Sequence, residues 1–417
     1  MSDSEYKFIN FSSNQSIRVD KKFFDSSKLI TEILCNETEC HLPDEYYNEN
    51  VISFLNELII KCGLYDADLY LFNGFIIKSE LFDADLLILT KTLVLMDFLD
   101  IELHKIPLVE KVSELLYKNN INNVRGNIDE KFADNYKLVT LLWNKTKNKK
   151  IFFKLPKLNY INLELDLTEN KNITQDDLNS VPKNLRNGII KIKTTHREDI
   201  IDVNMFTKLE ELYASVRCGI DQNGIHRLTN LRILDVGFNT KIKNVNHLKK
   251  LEELNACYDC GIDQYGIRKL TNLRILDVND NNKITNVNHL TQLEELDVSG
   301  YGYGCGIDQN GIQQLIKLRK LNAFDNTKIK DVNHLTQLEV LSAPFGCGID
   351  QNGIQQLTNL RILNVNWNTK IKNVNHLTQL EELDASGYGC GIDQNGIQQL
   401  TNLRILNAGD NKKITKR

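Results

Sequence analysis

Apolar residues recur through the second half of the chain as one phrase, Leu-x-x-Leu-x-x-Leu-x-Val/Ala, repeated ten times. The copies begin at Phe206, Leu228, Leu248, Leu270, Leu290, Leu315, Leu335, Leu357, Leu377 and Leu400. Their steps alternate between 20 residues and 22 to 25 residues, so the larger unit is a pair of unlike turns spanning 42 to 45 residues. Leu-x-Val/Ala alternation is the period of a short strand with one buried face. Between strands, segments such as Asp393 to Leu400 predict a short convex helix with Asp at its N-cap. One such turn cannot bury its apolar face alone, so the pattern predicts stacked turns sharing a parallel sheet.

The phrase resembles the leucine-rich repeat, and the resemblance covers roughly half the chain. It implies an α/β solenoid with a parallel concave sheet. Leu155 to Ile161 and Val181 to Leu185 fit the phrase loosely, which starts the solenoid near residue 151. Asn239, Asn281, Asn326, Asn368 and Asn411 each fall five residues after the third Leu of their turn. A buried amide there can bond the backbone of the neighbouring turn. In the alternate turns Cys218, Cys260, Cys305, Cys347 and Cys390, each followed by Gly-Ile-Asp-Gln, take a nearby place. The residue after the second Leu alternates Glu210, Arg232, Glu252, Arg274, Glu294, Arg319, Glu339, Arg361, Glu381, Arg404. With strands ~4.8 Å apart, each Arg is expected between two Glu side chains. The sequence stops in mid-turn at Asn411 to Arg417, so fraying is expected there.

Residues 1–122 lack the repeat and read as alternating strands and helices. Three segments, in order, resemble the BTB/POZ–Skp1–elongin C superfamily. Tyr6 to Asp20, followed by Ser26 to Leu34, looks like that family's opening hairpin and first helix. His41-Leu-Pro-Asp44 with the helix Asn50 to Leu58 is the second segment. Leu89 to Leu103 looks like the helix ending in Asn-Tyr-Leu-Asp-Ile, and Val109 to Leu116 fits the next helix. The resemblance implies a small α+β adaptor domain that engages a cullin-type ubiquitin ligase. Asp97 and Phe98 occupy the places of the Asn-Tyr pair that helps form the cullin-facing surface. The Trp-Cys tail of Skp1 is missing, and so is the extra amino-terminal segment of dimerising BTB proteins. Residues 123–150, with Lys145 to Lys150 rich in lysine, read as a helix and linker, and 151–417 as the repeats.

Charge adds little to this outline. The 417 residues carry a net charge of −4, so no global field favours nucleic acid or an anionic membrane. The start lacks a signal peptide's pattern, and the most apolar stretch, Leu86 to Leu99, is interrupted by Lys91 and Asp97. Nine cysteines are an odd count. The repeated ones lie two turns apart, roughly 10 Å, beyond the ~7 Å reach of a disulfide. Free thiols imply a reducing, intracellular location, cytoplasmic before nuclear.

Candidate chemistry is thin. Cys257-Tyr-Asp-Cys260 has redox or zinc-like spacing, but Cys260 belongs to the repeated row and no second pair completes four ligands. Cys35, Cys40, His41 and Cys62 make a zinc set only on paper, since adjacent residues of an extended chain point apart. His247, His289, His334 and His376 form another row, too widely spaced to share a metal and suited to packing between turns. Gly300 to Gly306 lacks the spacing of a phosphate loop and reads as a loop insertion. No catalytic set, metal or cofactor is implied. A recognition surface is better supported. Outward strand positions carry Glu211, Asp235, Glu253, Asp277, Glu295, Asp297, Glu382 and Asp384, against Lys320 alone among basic residues. Just beyond them stand Phe238, Tyr258, Phe324, Phe345 and Trp367. Aromatic groups beside charge are frequent in protein-binding surfaces. The expected function is therefore a non-catalytic adaptor, the repeats holding a protein target and the first domain a cullin. The alternative is a repeat scaffold with no link to ubiquitin.

Overall fold

A computed structural model describes residues 130–154, 158–302 and 304–415, together with strands at 6–11, 16–20 and 39–42 and the helical positions 90, 93–94, 109 and 112–113. Asp97 and Phe98 lie outside the described residues. The chain divides into two compact units. The first takes residues 1–163 with 180–189, and the second 164–179 with 190–417.

In the first unit, β1 (Tyr6–Phe11) pairs antiparallel with β2 (Ser16–Asp20) and parallel with β3 (Glu39–Leu42), giving the order β2-β1-β3. The hairpin falls where the sequence places it. Further along, the helix Tyr136–Lys145 is capped by Asn135, whose side chain accepts from the Lys137 and Leu138 amides. Its buried residues are Leu138, Val139, Leu142 and Trp143, the 3–4 spacing of one apolar face. Trp143 packs on Phe152 at 4.9 Å between ring centres, and Phe152 meets Tyr160 edge-on at 6.2 Å. The lysine-rich stretch closes this helix: Lys149 Nζ donates to the carbonyl of Thr146 at 2.7 Å and to that of Trp143. A cation suits that end, where free carbonyls collect.

The second unit is a solenoid, and its twelve-stranded sheet runs in strict chain order. The strands are β4 (Leu163–Asp166), β5 (Ile189–Lys193), β6 (Glu211–Tyr213), β7 (Ile233–Asp235), β8 (Glu253–Asn255) and β9 (Ile275–Asp277). They continue as β10 (Glu295–Asp297), β11 (Lys320–Asn322), β12 (Val340–Ser342), β13 (Ile362–Asn364), β14 (Glu382–Asp384) and β15 (Ile405–Asn407). Ten come from the ten phrases, and β4 and β5 are the weaker turns before them. From β5 to β15 every pairing is parallel, with the third Leu of each phrase opposite the next, as Leu296 with Leu321 and Leu363 with Leu383. A one-residue slip would turn this leucine column out to solvent, which is why the register holds. β15 keeps its pairing with β14, but Leu406 is 40% exposed where Leu383 is 1%.

The return segments correct one expectation. Between the ten phrases they are mostly single 3-10 turns, such as Asn223–Ile225 and Asn395–Ile397, with Gln264–Ile267 an α-turn, and short α-helices, Gln175–Asn179 and Lys183–Gly188, occur between β4 and β5. The Asp cap nevertheless holds: Asp263 accepts from the Tyr265 and Gly266 amides, and Asp308 from those of Asn310 and Gly311. The glycine of each turn is pressed on the preceding turn, leaving no room for a side chain. A Cβ at Gly353 would lie 2.1 Å from the Lys330 carbonyl oxygen.

Four internal rows tie the turns together. Asn281 Nδ2 donates to the Ala256 and Ile262 carbonyls at 2.8 and 3.3 Å, while its Oδ1 accepts from the Lys283 and Ile284 amides. Asn239, Asn326 and Asn368 repeat this pattern. His247, His289, His334 and His376 each place Nε2 3.0–3.2 Å from an Ile carbonyl of the previous turn, the packing role expected of them. The cysteine row is buried and free, and burial raises its thiol pKa values, to about 12 for Cys305 and about 11 for Cys347. A fourth row escaped the sequence reading. Lys283, Lys328, Lys370 and Lys413 each donate Nζ to the carbonyl of the row cysteine in the preceding turn at 2.9 Å.

Candidate protein-binding face

From β6 to β14 each three-residue strand buries its middle Leu and turns its first and third side chains outward, and β15 keeps the register with Leu406 exposed. These make two columns across the sheet. The first-position column reads Glu211, Ile233, Glu253, Ile275, Glu295, Lys320, Val340, Ile362, Glu382, Ile405. Lys320 Nζ sits 2.6 Å from Glu295. It is not alone: on β5, Lys191 lies 3.0 Å from Glu211, and Lys193 lies 2.5 Å from Glu164. The expected excess of free acid is therefore smaller, because basic residues precede the first clear phrase. Burial and the neighbouring carboxylates Glu211, Glu295 and Asp235 raise the pKa of Glu253.

The third-position column is Asp or Asn in most turns, for a local reason. Its Oδ1 accepts the amide two residues on, as Asp235 from Gly237, Asp277 from Asn279, Asp297 from Ser299 and Asp384 from Ser386. Asn255, Asn322 and Asn364 do the same. These side chains end the strands, the usual work of Asx residues at a turn. Asp235, Asp277, Asp297 and Asp384 were expected as ligand-facing acids, yet each spends one oxygen on its own backbone. Asp297 and Asp384 give the other to Asn322 and Asn407. Asp277 is the most perturbed. Burial first, then Asp297 and Asp235, push its pKa up to about 6.

At the amino-terminal edge, the alternating Arg and Glu do not form the even ladder expected of them. Each Arg binds the Glu one short step ahead: Arg232 with Glu252, Arg274 with Glu294, Arg319 with Glu339 and Arg361 with Glu381. A guanidinium fork matches one carboxylate in two-pronged fashion, so it chooses one partner rather than bridging two. Arg404 lies only 3.7 Å from the already engaged Glu381.

Beyond the strands at the opposite edge, the aromatic residues form a rim. Phe238 stacks on Tyr258 with centroids 4.0 Å apart, and Trp367 meets Tyr388 edge-on at 5.9 Å. Phe324 stacks on Tyr301 at 4.5 Å, and Phe345 stands 63% exposed. Tyr301 and Tyr388 were missed in the sequence because they sit in glycine-rich insertions set aside as loops. The backbone at this rim is left-handed. Phe238, Tyr258 and Trp367 have φ of 61°, 56° and 58°, at places that Asp280, Asp325 and Asp410 fill in other turns. Short Asp and Asn tolerate that conformation, whereas for bulky side chains it costs roughly 1–2 kcal/mol. Gly387 is needed under the tryptophan: its φ is 96°, and a Cβ there would come within 2.7 Å of the Trp367 ring. Large rings thus stand half-exposed and recur along one edge on a backbone that short polar residues adopt more readily.

Among the described residues no group of three or more His, Cys, Asp or Glu is arranged to hold a metal, and no helix is long and apolar enough to cross a membrane. No protein-family model matches the sequence, and no curated relative matches it. Among solved structures, the chain is similar to an internalin, InlF, of Listeria monocytogenes at 20% identity, covering 58% of this chain and 85% of that one, with a TM-score of 0.40. A leucine-rich-repeat protein of Leptospira interrogans shares 17% identity over 73% of this chain and 88% of its own, with a TM-score of 0.43. The functional domain of InlJ of Listeria monocytogenes, described as including a cysteine ladder, shares 21% identity over 57% of this chain and 64% of its own, with a TM-score of 0.37. Likeness at this level says nothing of ligand or partner.

Proposed function

We propose that the repeats, residues 151–417, are a non-catalytic recognition module that holds a protein segment against the outward face of the sheet. The observation that carries this is the rim. Phe238, Tyr258 and Trp367 occupy left-handed positions where aspartate serves elsewhere, so their rings are kept despite local backbone strain. The face between the Arg/Glu edge and the rim offers isoleucine, carboxylate and aromatic groups together, the mixture of protein interfaces rather than of nucleic-acid ones. Association is salt-sensitive, because Glu253 and Glu382 are carboxylates outside the ion pairs. The unpaired, buried thiols support an intracellular setting.

The finer reading makes residues 1–122 a BTB/Skp1-like adaptor for a cullin. Its support is the β1–β2 hairpin, which matches the opening hairpin of the resemblance. Pull-down with cullin amino-terminal domains tests that half by itself, and absence of binding leaves the repeat scaffold.

For the repeats, the test is panning a random 20-residue peptide display library on the full chain. Selected ligands should lose affinity when Phe238 and Trp367 are both replaced by Asn, and should shield Trp367 from a collisional quencher. Ligands indifferent to both residues would overturn the reading.

A further inference from the structure

The first-position column holds two copies of one arrangement. Glu253 on β8 lies opposite Ile233 on β7 and Ile275 on β9. Glu382 on β14 lies opposite Ile362 on β13 and Ile405 on β15. Each trio also has an aromatic pair on its own turns at the rim, Phe238 with Tyr258 and Trp367 with Tyr388. The other two glutamates of the column, Glu211 and Glu295, are neutralised by Lys191 and Lys320. Among the described residues neither Glu253 nor Glu382 forms an ion pair or a side-chain hydrogen bond. Two like carboxylates are thus left open, and the ones before and between them are closed.

We propose that Glu253 and Glu382 are two equivalent receptors for the basic side chains of one extended peptide segment of a partner protein, lying across the strands. This rests on the recognition role proposed above and specifies its ligand. A Lys or Arg side chain suits the arrangement, since its head meets the carboxylate while its aliphatic stem lies on the two flanking isoleucines. The repeat also fixes the spacing. From β8 to β14 is six strand steps, or about 29 Å at ~4.8 Å each. An extended chain covers that distance in about nine residues at ~3.3 Å per residue. The rim lies past the ends of the same strands, so alternate side chains of the peptide can be directed to the glutamate column and to the rim. Binding at one receptor makes the second step intramolecular, which converts two weak contacts into one stronger association.

The test uses the full chain and labelled peptides of otherwise neutral sequence at low salt, read by fluorescence anisotropy. A peptide with two Lys eight or ten residues apart, the even spacings around nine that put both side chains on one face, should bind at least about tenfold more tightly than one with a single Lys or with two Lys four residues apart. Glu253→Gln and Glu382→Gln should each bring it down to the single-Lys level, whereas Glu295→Gln should change affinity less than about twofold. Equal loss from Glu295→Gln, or equal binding at both spacings, would overturn the proposal by showing general acidity alone. If no basic peptide binds while panned ligands still need Phe238 and Trp367, the two-receptor proposal falls and the recognition role stands. If panned ligands ignore both the rim and the glutamates, both fall.

Discussion

Along the inside of the solenoid the same side chain returns every second turn with the same partners. Asn281 and Asn326 bond the same four kinds of backbone group, and His289 and His334 reach the same Ile carbonyl. Along the rim, at the places where the backbone is left-handed, the residue changes through Phe, Tyr, Asp and Trp. The inner rows bond the backbone of adjacent turns, so they can be explained by stability alone. The rim does the reverse, placing large rings where a short polar residue would fit without strain. Strict repetition therefore marks what holds the turns together, and departure from it is where the proposed partner would act.

If that contrast is right, the inner rows should be costly to disturb. Replacing Asn281 with Ala leaves the Ile262 carbonyl and the Lys283 and Ile284 amides without this partner, and the Ala256 carbonyl with the Cys260 thiol alone. At ~1–3 kcal/mol for each buried group left without a partner, and with partial relaxation, the loss should be about 3–5 kcal/mol. Urea unfolding measures it, and the Lys283 and Ile284 amides should exchange faster. A loss below about 1 kcal/mol would show that water enters the row and that repetition there is not structural.

A smaller effect of opposite sign is expected on the outward face. The pKa of Asp277 is pushed up to about 6, so the folded protein holds that proton more tightly than the unfolded chain does. Its folded form is therefore favoured below pH ~4, and this contribution is lost as pH rises through about 6. Asn255, Asn322 and Asn364 already fill the same position and accept the same amide. Asp277→Asn should thus stabilise by about 1–2 kcal/mol at pH 7 and leave stability near pH 4 unchanged. Thermal unfolding across that range checks it, and equal effects at both ends would remove the electrostatic explanation.

What the sequence disclosed follows the same division. Leu, Asn, Cys and His rows declare themselves by return at fixed spacing, so the solenoid, its register and the role of Asn239 to Asn411 could be read before any coordinates. Spacing does not reveal who bonds whom. It placed each Arg between two Glu, but fork geometry picks one. It showed Asp277 and Asp384 as free acids, but their carboxylates fold back on the next amides. Lys191 fell outside the phrase and hid the closure of Glu211. Tyr301 and Tyr388 were invisible because their loops differ in length, and only the chain path brings them against Phe324 and Trp367. Asp97 and Phe98, the residues on which cullin recognition would turn, lie outside the described structure.

The cysteine row separates packing from hydrogen bonding. Cys347 is buried, and its Sγ accepts the Ile349 amide at 3.4 Å. A serine hydroxyl can accept that amide too, though it is shorter and more polar than the thiol. Cys347→Ser should therefore cost only about 0.5–1 kcal/mol, from lost contact rather than an orphaned donor. Native labelling of Cys347 should stay slow, since burial raises its pKa to about 11 and leaves little thiolate. Rapid labelling without unfolding would contradict both statements.

The least costly change should be at the rim itself, and Phe238→Asn puts the contrast to its most direct test. The ring is 48% exposed, so little apolar burial is lost, and its stack on Tyr258 contributes about 0.5–1 kcal/mol. Against this, Asn relieves the left-handed strain at φ 61°, a gain of similar size. The two terms nearly cancel, so stability should move by less than about 0.5 kcal/mol in either direction. Binding of a panned ligand should nonetheless fall by about tenfold or more, as for an aromatic anchor. Urea midpoints and ligand titrations on the same sample read the two quantities together. Loss of stability with unchanged binding would make Phe238 a packing residue, no different in kind from the leucines beneath it, and would remove the main reason for placing a partner on this edge.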